Sequence, residues 1–102
     1  MRLRLGPADL GEGEMRGYRL GGERYVLLVR LRGGLHALDD VCNHAGCLLS
    51  GGRLAGNEVI CPCHLQTFDV RTGAVTCQPQ LCDDQRTLPV AVEDGQVWVE
   101  VE

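Results

Sequence analysis

Two short stretches of cysteine and histidine constrain this chain more than any other feature of its sequence. The first reads Cys-Asn-His-Ala-Gly-Cys over residues 42–47, and the second reads Cys-Pro-Cys-His over residues 61–64. Together they hold four of the six cysteines and two of the three histidines. Thiolates and imidazoles are the ligands that proteins use for zinc, copper and iron–sulfur clusters. Each stretch can therefore supply one Cys and one His to a shared metal centre, with the remaining chain as scaffold.

The length predicts a single domain spanning residues 1–102, and a cytoplasmic location is the default expectation. A domain this small has a limited core, so a bound metal cluster would add useful stability. No apolar run reaches the ~18 residues of a membrane span, and no signal peptide is evident. Without export, six cysteines favour metal or redox chemistry over a disulfide framework. The net charge of −4 and the lack of a basic stripe argue against a nucleic-acid partner.

The spacing of apolar runs and glycine-rich turns predicts an all-β fold. Residues 25–29 form the densest apolar run and are expected to be a central strand. Gly33 and Gly34 should turn the chain into a hairpin partner at 35–38. Valines alternating with Trp98 and Glu100 predict a half-buried final strand. Further strands are expected at residues 1–5, 16–20 and 88–92, and residues 77–85 can hold one helical turn at most.

The strand pattern weakens between residues 39 and 68, except at 58–60. Glycines punctuate this segment, which also carries both cysteine–histidine stretches. Functional residues often lie in loops that a rigid sheet positions. We therefore expect the metal site in loops of this segment.

The order of the four candidate ligands is Cys-x-His, then the sixteen residues 45–60, then Cys-x-x-His. A common zinc finger instead places both cysteines before both histidines. The order here resembles the Rieske iron–sulfur family. The flanking sequences Leu-Ser-Gly-Gly at 49–52 and Phe-Asp-Val-Arg-Thr-Gly at 68–73 are similar to the same family.

The resemblance implies the Rieske fold, in which antiparallel sheets form a sandwich or partial barrel. A cluster-binding subdomain of loops would span about residues 40–70, with base sheets from 1–39 and 71–102. Cys42 and Cys61 would bind the inner iron of a [2Fe–2S] cluster, and His44 and His64 the outer iron. Neutral imidazoles in place of two thiolates make the cluster less negative, which places Rieske potentials at about −150 to +300 mV.

The function implied is one-electron transfer from a reductase to an oxygenase or another oxidoreductase. The chain has no room for a separate catalytic domain, so we expect a carrier that is not an enzyme by itself. It would also suit the small subunit of a larger oxidoreductase. The same ligands would suit a structural zinc module, and Cys47 with Cys63 would suit a redox sensor.

Residues around the ligands refine this expectation. In high-potential Rieske proteins, cysteines at the positions of Cys47 and Cys63 form a disulfide; two buried thiols are the alternative. Gln66 and Phe68 stand where those proteins often carry a hydrogen-bonding Ser and Tyr, and Leu65 replaces a usual Gly. Since each lost hydrogen bond of roughly 1 kcal/mol lowers the potential, we predict a potential below that of respiratory-chain Rieske proteins.

The remaining candidates are expected to be structural. His36 falls in a predicted strand and is interpreted as an ordinary pleat residue. Cys77 and Cys82 lie five apart around Pro79, and two small buried side chains are favoured over a second disulfide. Trp98 is expected to pack on its sheet.

Overall fold

A computed structural model describes residues 1–22, 24–43, 46–63 and 65–101. In this part of the chain, ten strands form three antiparallel sheets, which confirms the all-β prediction. One short 3-10 helix covers Leu49–Gly51, and no described helix is long and apolar enough to cross a bilayer. The strands are β1 (Arg2–Pro7), β2 (Met15–Arg19), β3 (Tyr25–Leu31), β4 (Gly34–Asp39), β5 (Arg53–Ala55), β6 (Glu58–Ile60), β7 (Thr67–Asp69), β8 (Thr87–Leu88), β9 (Val90–Glu93) and β10 (Gln96–Glu100).

Strand β3 is central, as its apolar run predicts, because both of its faces are buried. It lies in the second sheet, in the order β2-β3-β4-β8. Successive side chains of a strand point to opposite faces. Val26 and Leu28 therefore enter one core while Leu27 and Val29 enter the other, and all four are fully buried.

The two cores divide the scaffold from the candidate site. One core joins β3 and β4 to the sheet β1-β10-β9, in which β10 is half-buried as its alternation predicts. Trp98 on β10 is half-buried, and the Arg2 guanidinium carbon lies 4.8 Å from its ring centroid. The other core contains the two candidate sulfur ligands; its buried members are Leu27, Val29, Leu38, Cys42, Leu49, Val59, Cys61, Phe68 and Val70.

The hairpin between β3 and β4 turns one residue earlier than the glycine pair suggests. Leu31 pairs with Gly34, so the turn residues are Arg32 and Gly33, with φ of 53° and 79°. Positive φ at both central positions matches the twist of the flanking strands. The Glu12 carboxylate accepts the Arg32 N–H at 2.6 Å and the Gly33 N–H at 2.8 Å. These two bonds hold a non-glycine residue in the left-handed region.

The expectation that residues 39–68 are loops around one strand is wrong in part. The strands β5, β6 and β7 form a third antiparallel sheet within this segment. All three strands have only three residues, which is too short for a clear period-2 pattern, and only β6 at 58–60 was expected. The division into a subdomain at about 40–70 and base sheets from 1–39 and 71–102 stays a prediction, although the third sheet lies inside the first range.

Candidate metal centre

The first cysteine–histidine stretch forms a closed loop between β4 and β5. The Cys42 N–H donates to the Cys47 carbonyl at 2.7 Å, and the Gly46 N–H donates to the Cys42 carbonyl at 2.9 Å. Val41 and Leu48 bridge the loop at its base. Gly46 has a φ of 73°, the left-handed region that glycine adopts without steric cost.

The second stretch, between β6 and β7, repeats the hydrogen-bond pattern of the first. The Cys61 N–H donates to the Gln66 carbonyl at 2.9 Å, and the Leu65 N–H donates to the Cys61 carbonyl at 3.1 Å. In each loop the first cysteine thus donates five residues ahead and accepts from four residues ahead. Leu65 occupies the position of Gly46 and has a φ of 58°. The backbone around the first cysteine therefore has the same hydrogen-bond pattern in the two loops.

The first cysteines of both loops lie in the same core. The side chains of Cys42 and Cys61 are 1% and 0% exposed, and neither forms a disulfide. A thiolate in so apolar a setting is costly unless a cation or metal stabilises it. Two buried sulfur donors from equivalent loops therefore fit the inner half of a di-iron cluster.

The second cysteines of the loops tie them together. Cys47 and Cys63 form a disulfide with their Cα atoms 6.4 Å apart. This is the pairing implied by the resemblance to high-potential Rieske proteins. The alternative of two separate buried thiols is wrong for this structure.

His44 and His64, the candidate nitrogen ligands, lie outside the described residues. Their neighbours Asn43 and Cys63 are described, and each belongs to one of the two loops. The assignment of both histidines as ligands stays a prediction. His36, the third histidine, lies in β4 opposite Val29, as expected for a strand residue.

Gln66 and Phe68 stand where high-potential Rieske proteins often carry a hydrogen-bonding Ser and Tyr, and both side chains are buried. Phe68 is fully buried and has no polar atom on its side chain. The Gln66 side chain is 4% exposed, donates to the Pro79 carbonyl at 3.3 Å and accepts the Leu81 N–H at 3.1 Å. The oxygen of this amide thus binds the segment that follows β7, which the sequence did not indicate.

Cys77 and Cys82 are half-buried and do not form a second disulfide. The Thr67 N–H lies 3.4 Å from the Cys77 sulfur, and the Cys82 sulfur lies 3.8 Å from the Gln66 side-chain oxygen. Burial, and secondarily the neighbouring Cys42, raises the pKa of the Cys82 thiol above its ordinary value. Cys82 is therefore a neutral thiol at physiological pH. The preference for separate side chains over a second disulfide is confirmed, but the side chains are half-buried where buried ones were expected, because both residues lie in a surface segment.

Two residues that border the site, Asn43 and Gln85, carried no recognisable sequence signal. Gln85 is 4% exposed and contacts the first loop through Asn43. Asn43 stands between two candidate ligands but has no metal chemistry of its own. Only burial, which the sequence does not reveal, distinguishes Gln85 from exposed glutamines such as Gln80.

Comparison with known proteins agrees with this geometry. Residues 4–92 match the family described as Rieske [2Fe-2S] domain. The chain is 36% identical over 94 residues to the ferredoxin component of the naphthalene 1,2-dioxygenase/salicylate 5-hydroxylase systems of Ralstonia sp, covering 92% of this chain and 88% of that protein.

Solved structures show the same likeness. The ferredoxin of carbazole 1,9a-dioxygenase from Nocardioides aromaticivorans IC177 is similar with a TM-score of 0.88 and 30% identity, covering 99% of this chain and 98% of that one. A chain in the complex of reduced oxygenase and oxidized ferredoxin in carbazole 1,9a-dioxygenase is similar with a TM-score of 0.87 and 28% identity. The match covers 96% of this chain and 100% of that one.

Proposed function

The chain belongs to the Rieske [2Fe–2S] domain family, and from that premise we propose that it passes single electrons from a reductase to the oxygenase of a dioxygenase system. The observation that carries the proposal is the pair of buried thiols, Cys42 and Cys61, in two loops with one hydrogen-bond pattern. The relative from Ralstonia sp matches over most of both lengths and is a ferredoxin component. The chain is accordingly a carrier and not an enzyme by itself.

The proposed ligands are Cys42 and Cys61 for one iron, and His44 and His64 for the other. The bound cluster supplies a one-electron couple whose potential the mixed sulfur and nitrogen ligands raise above that of four-thiolate clusters. The chain itself buries the two sulfur donors, which keeps water from them. The Cys47–Cys63 disulfide holds the two loops together.

Apolar side chains around the loops support docking to a partner protein. Leu48 follows the first loop, Leu65 belongs to the second, and Leu81 lies in the segment bound by Gln66. They are 39%, 68% and 51% exposed. Exposed leucines on three adjoining segments favour an interface that buries them. We propose that the oxygenase binds there, next to His64, so that the electron leaves from the histidine side of the cluster.

Reconstituted electron transfer tests the proposal. The protein is purified without oxygen, assayed for iron and labile sulfide, and mixed with an NADH-dependent ferredoxin reductase and a ring-hydroxylating oxygenase. We expect a red-brown protein that bleaches on reduction and regains colour as the oxygenase turns over. Cys42→Ser should abolish the colour, and Cys77→Ser, which alters a half-buried thiol outside the ligand set, should retain it.

A colourless preparation that holds zinc would contradict the proposal and favour the structural zinc module. Co-purification with a large subunit that accepts the electron would instead favour the small subunit of a larger oxidoreductase. We also propose a cytoplasmic location, which cell fractionation would test.

A further inference from the structure

The segment 77–85, here called the strap, leads from the turn after β7 to β8. Within the described residues it forms no helix or strand, and other parts of the chain hold it by hydrogen bonds. Gln66 binds its first half through Pro79 and Leu81. Its last residue, Gln85, is 4% exposed and donates its backbone N–H to the Gly73 carbonyl at 2.8 Å. The strap therefore connects both candidate ligand loops to the scaffold.

The side-chain amide of Gln85 has all of its hydrogen-bonding groups occupied. Its oxygen accepts the Asn43 backbone N–H at 3.0 Å and the Asn43 side-chain N–H at 2.5 Å. Its nitrogen donates to the carbonyls of Asp39 and Val41, each at 2.9 Å. A buried amide satisfied by four bonds has one orientation available, because any rotation leaves a polar group unpaired.

Asn43 is held from its other side as well. Its side-chain oxygen accepts the Asp83 N–H at 3.1 Å, and its side-chain nitrogen donates to the Asp83 carbonyl at 2.7 Å. The backbone of Asn43 links Cys42 to His44, the two predicted ligands of the first loop. Gln85 thus fixes the peptide between a sulfur ligand and a nitrogen ligand.

We infer that Gln85 is a positioning residue for the cluster, acting through Asn43 to set where the first loop presents Cys42 and His44. This inference rests on the proposed ligand set. Residues that orient metal ligands without binding the metal typically contribute about 10–100-fold to metal affinity. Two of the four bonds of Gln85 go to Asn43 itself, and the other two go to the backbone leading into the same loop.

The test compares Gln85→Met with Gln80→Met in the cluster-loaded protein. Methionine keeps the length of glutamine but removes the amide, and Gln80 is an exposed glutamine of the same strap with one local bond to the Cys82 carbonyl. For each variant, the iron release rate with a chelator, the EPR spectrum after reduction, and the potential as a function of pH are measured. Gln85→Met should release iron at least about tenfold faster and shift both the g-values and the potential. Gln80→Met should match the unaltered protein.

A milder variant keeps the inference testable if Gln85→Met fails to fold. Asn43→Ser removes the side-chain N–H that the Gln85 oxygen accepts and keeps the backbone N–H to the same oxygen, so it should release iron faster than the unaltered protein and shift the g-values, by less than is expected for Gln85→Met. A lower melting temperature with unchanged spectrum, potential and release rate would reduce Gln85 to a structural role and overturn the inference. Failure of the proposed function would appear as an unaltered protein that binds no iron. Failure of the inference about Gln85 would appear as an iron-loaded Gln85 variant with unchanged spectrum, potential and release rate.

Discussion

The carboxylate of Asp40 accepts two hydrogen bonds from Ser50, one from its backbone N–H at 2.7 Å and one from its hydroxyl at 2.6 Å. Asp40 directly follows β4 at the start of the first loop, and Ser50 lies in the 3-10 helix that follows the loop. The Asp40 carbonyl also accepts the Leu49 N–H at 2.7 Å. These bonds close the base of the loop, and Asp40 is 1% exposed.

Ser50→Ala should lower the free energy of unfolding by about 1–3 kcal/mol, because it leaves one oxygen of a buried carboxylate without its donor. Urea unfolding measures the loss. Thr76→Ala serves as the control, since the bond between the Thr76 and Thr67 hydroxyls is exposed and should contribute less than about 0.5 kcal/mol. Equal losses in the two variants would contradict a closing role for Asp40 and Ser50.

Leu65→Gly should stabilise the protein by about 0.5 kcal/mol. An L-residue in the left-handed region costs roughly 1–2 kcal/mol, which exceeds the added chain entropy of glycine in the unfolded state. Leu65 is 68% exposed, so little burial is lost. The reciprocal change in the equivalent position of the other loop, Gly46→Ala, should destabilise the protein. Thermal unfolding measures the change in stability of both variants. A less stable Leu65→Gly variant would refute the equivalence of the loops.

Removing the disulfide should destabilise the cluster-free protein more than the cluster-loaded protein. The bridge joins residues sixteen apart, for which chain entropy predicts about 3 kcal/mol. Binding of the cluster by Cys42 and Cys61 would close nearly the same loop of the chain. A Cys47→Ser/Cys63→Ser variant should therefore lose less free energy of unfolding when the cluster is bound. Denaturant unfolding with and without the cluster measures both values.

A thiol count provides the direct control for that experiment. After denaturation and removal of iron under non-reducing conditions, four cysteines should react: Cys42, Cys61, Cys77 and Cys82. Six reactive thiols would show that the bridge is absent in the isolated protein.

Phe68→Tyr should raise the reduction potential by roughly 40 mV. The fully buried Phe68 offers no donor where high-potential Rieske proteins carry a hydrogen-bonding Tyr, and one added bond of roughly 1 kcal/mol stabilises the reduced cluster. Phe68→Leu, which adds no donor, should not raise the potential. Potentiometric titration measures all three proteins. An unaltered protein at the top of the Rieske range would contradict the account of Gln66 and Phe68.

Strands with long, regular patterns could be predicted from the sequence, and of the three-residue strands only β6 could. The run at 25–29 contains the residues that fill both cores, so its central place follows from its composition. The turn at Arg32 lies one residue from its predicted place because carboxylate contacts from the distant Glu12 stabilise a left-handed arginine. The third sheet was missed because its pairing depends on contacts between strands of three residues.

The candidate site divides in the same way. The two cysteine–histidine stretches predicted a metal site, and the resemblance to Rieske proteins implied Cys42 and Cys61 as its sulfur ligands, which stays a prediction. The resemblance also implied the pairing of Cys47 with Cys63, which the structure confirms. The contacts of Gln66 and Gln85 could not be predicted, because a glutamine becomes structural only when it is buried among backbone groups. That burial is a property of the folded chain.

Pulsed EPR of the reduced protein labelled with ¹⁵N-histidine tests the central claim most directly, together with iron and sulfide analysis. We expect about two irons and two labile sulfides per chain, and hyperfine coupling to two imidazole nitrogens. His44→Ala and His64→Ala should each remove one coupling or the cluster itself, and His36→Ala should leave the spectrum intact. Protein without labile sulfide, or a spectrum without histidine coupling, would contradict the claim that two cysteines and two histidines bind a [2Fe–2S] cluster.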